Sequence, residues 1–225
     1  MADPAIPLTL EAHGAAHLPG AALPVLAELE AILSRLGSDR PGLRLRDIPD
    51  LAPLLDASGE IGQIASRWLG PDARPIRAIL FDKRDGTNWA LGWHQDRTIA
   101  VRARRNVSGF GPWTIKQGMQ HVAPPFALLA GMLTLRVHLD PVPADNAPLL
   151  IAPGSHRALV PESDIDRAVV SHGIHRCLAE AGDVWVYATP ILHASDAAAR
   201  PATRRVLQID YAVADLPGGL DWLGI

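Results

Sequence analysis

Apolar residues recur at helical spacing in the first third of the chain and at alternate positions through much of the rest. Leu23, Val25, Leu26, Leu29, Ile32, Leu33 and Leu36 mark a helix over 21–36, with Gly37 as its stop. Shorter helices are predicted over 49–57 and 60–69, the second closed by Gly70-Pro71. A short strand is predicted over 6–10. From Ile76 the period changes to two. Strands are predicted over 76–83, 98–104, 134–139, 149–151, 184–188 with a continuation to 193, and 204–212. Turns fall at 84–86, 153–156 and 181–183, and a short helix at 162–170. The stretch 109–125, rich in Gly and Pro, reads as a long irregular loop, either a lid or a connection. Many short strands after a helical start predict a mainly β protein, an antiparallel barrel or jelly roll with a helical flank. Residues 1–75 would form the flank and 76–225 the core of one structural domain.

Composition narrows the functional classes. With 225 residues, 48% hydrophobic and 20% charged, the chain can bury one sizeable core. A formal net charge of -3 gives no global field for nucleic acid or an anionic membrane. The single cysteine, Cys177, excludes an intramolecular disulfide framework and a cysteine-based zinc site. No apolar run is long enough to span a bilayer, and Met1–Pro7 lacks the basic and apolar regions of a signal peptide. A cytoplasmic protein acting on a small molecule is the expectation; oligomeric state is not readable.

The candidate chemistry centres on Trp93-His94-Gln95-Asp96. On an extended strand His94 and Asp96 share a face, presenting an imidazole beside a carboxylate. That is two thirds of the 2-His-1-carboxylate set that holds Fe(II) and leaves positions open. The triplet alone is weak, because nine histidines supply about one His-x-Asp by chance. A second occurs at His138-Leu139-Asp140. A jelly roll brings distant strands together, so the third ligand should come from a late strand. His193 lies far enough after His94 for several intervening strands, whereas His138 stands at about half that distance and leaves little room. Arg204, eleven positions after His193, starts the last strand and would bring a guanidinium suited to a carboxylate. Ser195 could add a hydroxyl. On the strand over 134–139, Thr134, Arg136 and His138 share one face, a candidate pocket wall because polar groups are costly to bury unpaired. Arg102, Arg104 and Arg105 cluster locally, as a solvated strand face or an anchor for an acidic substrate.

Taken together, Trp93 to Asp96, Leu149 to His156 with its Pro-Gly-Ser-His turn, His193-Ala194-Ser195 and Arg204 resemble the phytanoyl-CoA dioxygenase family of Fe(II)- and 2-oxoglutarate-dependent oxygenases. The resemblance runs from about Leu80 to Ala212. It implies a double-stranded β-helix with His94, Asp96 and His193 as iron ligands. It further implies Arg204 and Ser195 on the distal carboxylate of 2-oxoglutarate, Gln95 at the co-substrate site, and O2 as the oxidant. Arg136 stands where some members carry an aromatic residue, which leaves it three roles: co-substrate contact, substrate contact, or paired structural arginine. Lys83 and Asn88 precede the triplet at positions that could face the pocket, Lys83 as a carboxylate or substrate anchor.

The resemblance implies hydroxylation, coupled to conversion of 2-oxoglutarate to succinate and CO2. A compact chain with Arg102, Arg104 and Arg136 favours a small, polar or acidic substrate. Two rivals are a non-catalytic jelly-roll protein that binds metal or a small acid, and a cupin-like metalloenzyme that does not use 2-oxoglutarate. Without His193 and Arg204, the pair His94 and Asp96 would read as structural. Trp89, Trp93 and Trp185 read as core residues and Cys177 as an inert one.

Overall fold

The two longest strands, β3 (Arg74–Lys83) and β13 (Arg204–Ala212), pair antiparallel over almost their whole length. The computed structural model describes residues 7–36, 42–83, 88–200 and 202–225. The pair lies inside a six-stranded sheet in the order β1 (Ala15–Leu18), β11 (Val184–Ala188), β8 (Leu133–His138), β13, β3 and β2 (Gly42–Leu45). Every pairing in it is antiparallel. Residues before 76 supply helices, as the apolar spacing predicts, but they also supply β1 and β2, the two edges of this sheet.

The period-two pattern divides the strands between two environments. Leu135, Val137, Leu207, Ile209, Ala78 and Leu80 point to one face and pack against Leu29, Ile32, Leu55 and Ile64. Those last four come from the helices α2 (Leu26–Leu33), α3 (Ala52–Leu55) and α4 (Gly62–Leu69). Alternate residues of the same strands face a second sheet, ordered β10 (His175–Cys177), β9 (Leu149–Ile151), β12 (His193–Ser195) and β4 (Leu91–His94). Leu149, Ile151, Cys177, Trp185 and Tyr187 fill the space between the sheets at one end. At the other end that space is polar. Two facing antiparallel sheets of this kind make the protein mainly β, a jelly roll.

Two segments depart from the predicted elements. The strand predicted to run on to 193 ends at Ala188, where the Ile191 N–H turns back to the Ala188 carbonyl at 2.9 Å. The chain crosses there to the second sheet, where β12 begins. The predicted irregular loop over 109–125 contains a hairpin, β6 (Trp113–Lys116) and β7 (Met119–Val122), which joins β5 (Ile99–Val101) in a third sheet. Its turn is Gln117-Gly118, with φ of 50° and 77°. Two positive φ values give a two-residue turn the twist that its strands need. Gln at the first position concealed it, because Asn or Asp is the usual signal. The predicted strand over 6–10 is replaced by a short helix, α1 (Leu10–His13), capped by Thr9. The predicted turn at 84–86, the Gly37 stop and Ile6 lie outside the described residues. The helices α5 (Phe126–Ala130) and α6 (Ile165–His172) and short 3-10 turns at Leu23–Val25, Ser155–Arg157 and Glu162–Asp164 complete the described elements. No helix among the described residues is long and apolar enough to cross a membrane.

Candidate metal centre and co-substrate cavity

Strand register brings the two histidines together. His193 begins β12 and pairs with His94, the last residue of β4, and their ring centroids are 4.2 Å apart. His94 Nδ1 lies 2.8 Å from the Gly92 carbonyl and His193 Nδ1 lies 2.9 Å from the Ile191 carbonyl. A carbonyl only accepts, so each Nδ1 carries a proton and donates, which leaves Nε2 as the ring atom available to a metal. Burial, and then the neighbouring His94, push the His193 imidazole down to about 4, which keeps it neutral as a metal ligand must be. Asp96 follows two residues after His94. One ligand atom from each of His94, Asp96 and His193 lies within 4.8 Å of the others.

Asp96 is oriented by a residue that the sequence reading did not single out. Arg77 on β3 donates from Nη2 to Asp96 Oδ2 at 3.0 Å and from Nε to Asp210 Oδ2. Asp210 is its register partner on β13 and also accepts from the Thr134 hydroxyl at 3.0 Å. Burial alone would raise the Asp96 carboxyl; Arg77, then His193 and His94, outweigh it and hold it below the usual carboxylate range. Burial raises Asp210. The signal for this pair was present in the sequence: Asp210 sits between Ile209 and Tyr211 in an apolar strand, and a buried acid there needs a cationic partner. Two imidazoles and a carboxylate facing open space fit the donor set of non-haem Fe(II).

That space is a cavity of about 470 Å³ between the two main sheets. His94, Gln95, Asp96, Lys83, Arg136, His193, Ser195 and Arg204 all line it. Lys83 and Arg204 are register partners on β3 and β13. Lys83 Nζ donates to the Ser195 hydroxyl at 3.1 Å and to the carbonyls of Trp89 and Asp196 at 2.7 and 3.1 Å. Arg204 donates from Nη1 to the Ala147 carbonyl, while its buried Nε has no partner among the described residues. Burial, then Arg204 and Arg136, push Lys83 down to about 8; burial, then Arg136, push Arg204 down to about 9. Neither cation forms an ion pair among the described residues, although Asp196 partly offsets the shift of Lys83, and a bound carboxylate would supply a counter-charge. Arg136 donates to the Gln208 amide oxygen at 2.8 Å and lies 5.2 Å from the Phe81 ring centroid, so its partners are neutral and its charge is open to the cavity.

Of the other expected pocket residues, Gln95 lines the cavity, and Asn88, Arg102 and His138 do not. Gln95 touches the cavity wall, but its amide is fully engaged. It donates to the carbonyls of Pro190 and Ala158 at 2.7 and 2.9 Å and accepts from the Val160 N–H at 2.9 Å. It braces the chain just before His193 and does not offer a free group to a co-substrate. Asn88 is absent from the lining and is spent on Ala198, donating at 3.0 Å and accepting at 2.7 Å. Arg102 follows β5 in the third sheet, which turns it away from the cavity. Its Nε donates to the Trp222 carbonyl at 3.2 Å in a surface groove with Arg74 and Asp221. Arg104 lies over the Trp113 ring. His138 faces inward but is sealed, 1% exposed, with both ring nitrogens unpartnered among the described residues, and it does not line the cavity. Burial, then Arg136 and Arg204, push it down to about 3. Conversely, Arg44 and Lys116 do line the cavity. No local pattern in the sequence marks them, because β2 and the hairpin reach the cavity only through tertiary contacts.

Comparison with known proteins agrees with this geometry. The non-heme α-ketoglutarate-dependent epimerase SnoN from nogalamycin biosynthesis aligns over 93% of this chain and 85% of its own, with a TM-score of 0.66 and 18% identity. EctD from S. alaskensis aligns over 99% of this chain and 83% of its own, at 0.65 and 16%. AviO1 from Streptomyces viridochromogenes Tue57 aligns over 93% and 94%, at 0.61 and 21%. These likenesses establish the fold. SnoN is known in complex with Fe3+, α-ketoglutarate and nogalamycin RO, and EctD with 2-oxoglutarate and 5-hydroxyectoine. No curated protein matches the chain. The profile of the family described as Phytanoyl-CoA dioxygenase (PhyH) matches residues 51–206. With more than half of its length matched in this way, the chain belongs to the phytanoyl-CoA dioxygenase family.

Proposed function

We propose that the protein is an Fe(II)- and 2-oxoglutarate-dependent dioxygenase that hydroxylates a small, polar or acidic organic molecule. The observation that carries this reading is the juxtaposition of His94, Asp96 and His193 with the Lys83–Arg204 pair of cations in one cavity. His94, Asp96 and His193 hold the iron. Arg204 and Ser195, with Lys83 beside them, hold the distal carboxylate of 2-oxoglutarate. When bound, iron supplies the oxidising chemistry, in which O2 converts 2-oxoglutarate to succinate and CO2 and one oxygen atom enters a C–H bond of the substrate.

The chain's own residues bind and orient. The Gly92 and Ile191 carbonyls fix both imidazole tautomers, and Arg77 fixes the Asp96 carboxylate. Lys83 and Arg204 set the direction of the co-substrate by pairing with its far end. Anaerobic addition of 2-oxoglutarate to the Fe(II)-loaded protein should produce a visible charge-transfer band, lost in Arg204→Gln. A wild-type protein that binds iron but gives no such band would favour a metal-binding jelly roll or a cupin-like enzyme instead.

A further inference from the structure

We propose that Arg44 and Lys116 form a second anion site in the cavity, which recognises a carboxylate or phosphate group on the primary substrate. This inference rests on the oxygenase reading, in which Arg204 and Lys83 serve the co-substrate.

The two cationic regions are separated along β3. Arg44 on β2 is the register partner of Ile79, whereas Arg204 on β13 is the register partner of Lys83. Four strand residues put these levels about 13 Å apart, at 3.3 Å per residue. A five-carbon diacid held at Arg204 does not reach both. The metal centre lies toward the Arg44 end, because Asp96 is tied to Arg77, two residues before Ile79 on the same face. A molecule held by Arg44 and Lys116 would therefore lie beside the metal and on the other side from the co-substrate.

Lys116 reaches this place through the hairpin. The Gln117 amide donates to the Gly42 carbonyl of β2 at 3.3 Å, which seats the hairpin turn against the edge of the main sheet. Lys116 itself donates to the Thr98 hydroxyl at 3.3 Å. Neither cation forms an ion pair with an acid among the described residues, although Asp96 acts on both at longer range. Arg44 makes no hydrogen bond or ion pair among the described residues, and its Nε is buried and unpartnered. Of the residues lining the cavity, seven are Arg or Lys, and only Asp96 is acidic, already engaged by Arg77. Burial and then Arg77 lower Arg44; burial lowers Lys116, with Asp96 opposing and Arg77 and Arg44 adding to the effect. An uncompensated pair of this kind is stabilised by an anion and left strained by a neutral ligand.

The test uses full-length protein loaded with Fe(II) under anaerobic conditions and saturated with 2-oxoglutarate. Butyrate, butyl phosphate and neutral butyramide are the probes, followed by tryptophan fluorescence and calorimetry. One or both anions should bind about ten-fold or more tightly than butyramide, a difference of ~1.4 kcal/mol. The better anion identifies the group as carboxylate or phosphate. Arg44→Gln and Lys116→Gln should each remove most of that preference while changing 2-oxoglutarate affinity less than about two-fold, and Lys116→Arg should retain it. Equal binding of butyramide overturns the proposal, as does an anion preference that survives Arg44→Gln with Lys116→Gln. Parallel loss of 2-oxoglutarate binding in these variants also overturns it, because the pair would then serve the co-substrate. Failure of the wild type to bind 2-oxoglutarate would overturn the oxygenase reading alone; the same probe comparison on the metal-loaded protein without 2-oxoglutarate would still decide the role of Arg44 and Lys116.

Discussion

Arg77 bridges Asp96 and Asp210, joining the candidate metal site to the interior of the main sheet through one guanidinium. The bridge serves two ends at once. It aims a carboxylate at the metal, and it compensates an acid that is 2% exposed. Arg77→Gln should lower Fe(II) affinity about 10–100-fold, the usual effect of losing a partner that orients a ligand. It should also destabilise the fold by about 3–5 kcal/mol, because Asp210 loses its cation while buried. Metal titration and urea denaturation measure the two effects separately. Unchanged metal affinity would confine Arg77 to a structural role.

Lys83 gives the site a pH signature. Its ammonium is pushed down to about 8 in the ligand-free protein. Below that pH it is charged and attracts a carboxylate; above it the charge is lost. Affinity for 2-oxoglutarate should therefore be flat below pH 8 and weaken as pH rises past it. Binding raises the lysine again, so it should take up a proton near pH 8–9, visible as a dependence of calorimetric heat on buffer ionisation. Lys83→Met should weaken 2-oxoglutarate about ten-fold or more, from loss of a charged interaction of about 1.5–3 kcal/mol, and remove the step near pH 8, leaving only the later weakening as Arg204 loses its charge near pH 9.

Gln95 separates bracing from binding. Its amide makes three hydrogen bonds shorter than 3.0 Å to backbone groups of Pro190, Ala158 and Val160. Gln95→Ala should cost about 1–3 kcal/mol of stability by leaving those groups unsatisfied, and should speed hydrogen exchange over 155–160. A direct co-substrate contact predicts the reverse: a large loss of 2-oxoglutarate affinity with little loss of stability.

The features readable in the sequence were those set by local periodicity or by a spacing that the chemistry requires. Strands such as 76–83, 184–188 and 204–212 announce themselves because alternate residues meet different surroundings. His94, Asp96, His193 and Arg204 could be grouped because a jelly roll must bring distant strands together to assemble a site. The rest depended on contacts between segments. Arg102 shares the alternation of a buried strand, yet the third sheet turns it outward. Asn88 lies near the triplet in sequence but is taken by Ala198. The hairpin at 113–122 was hidden by a Gln in its turn, and with it Lys116. Arg77 carried a readable clue, since the buried Asp210 required a partner that only strand register identifies.

Succinate formation tests the central claim most directly. Purified protein supplied with Fe(II), ascorbate, O2 and 2-oxoglutarate should release succinate slowly without a primary substrate. His94→Ala and His193→Ala should each reduce that release to background together with bound iron. A wild-type protein with iron bound at His94, Asp96 and His193 that releases no succinate would contradict it.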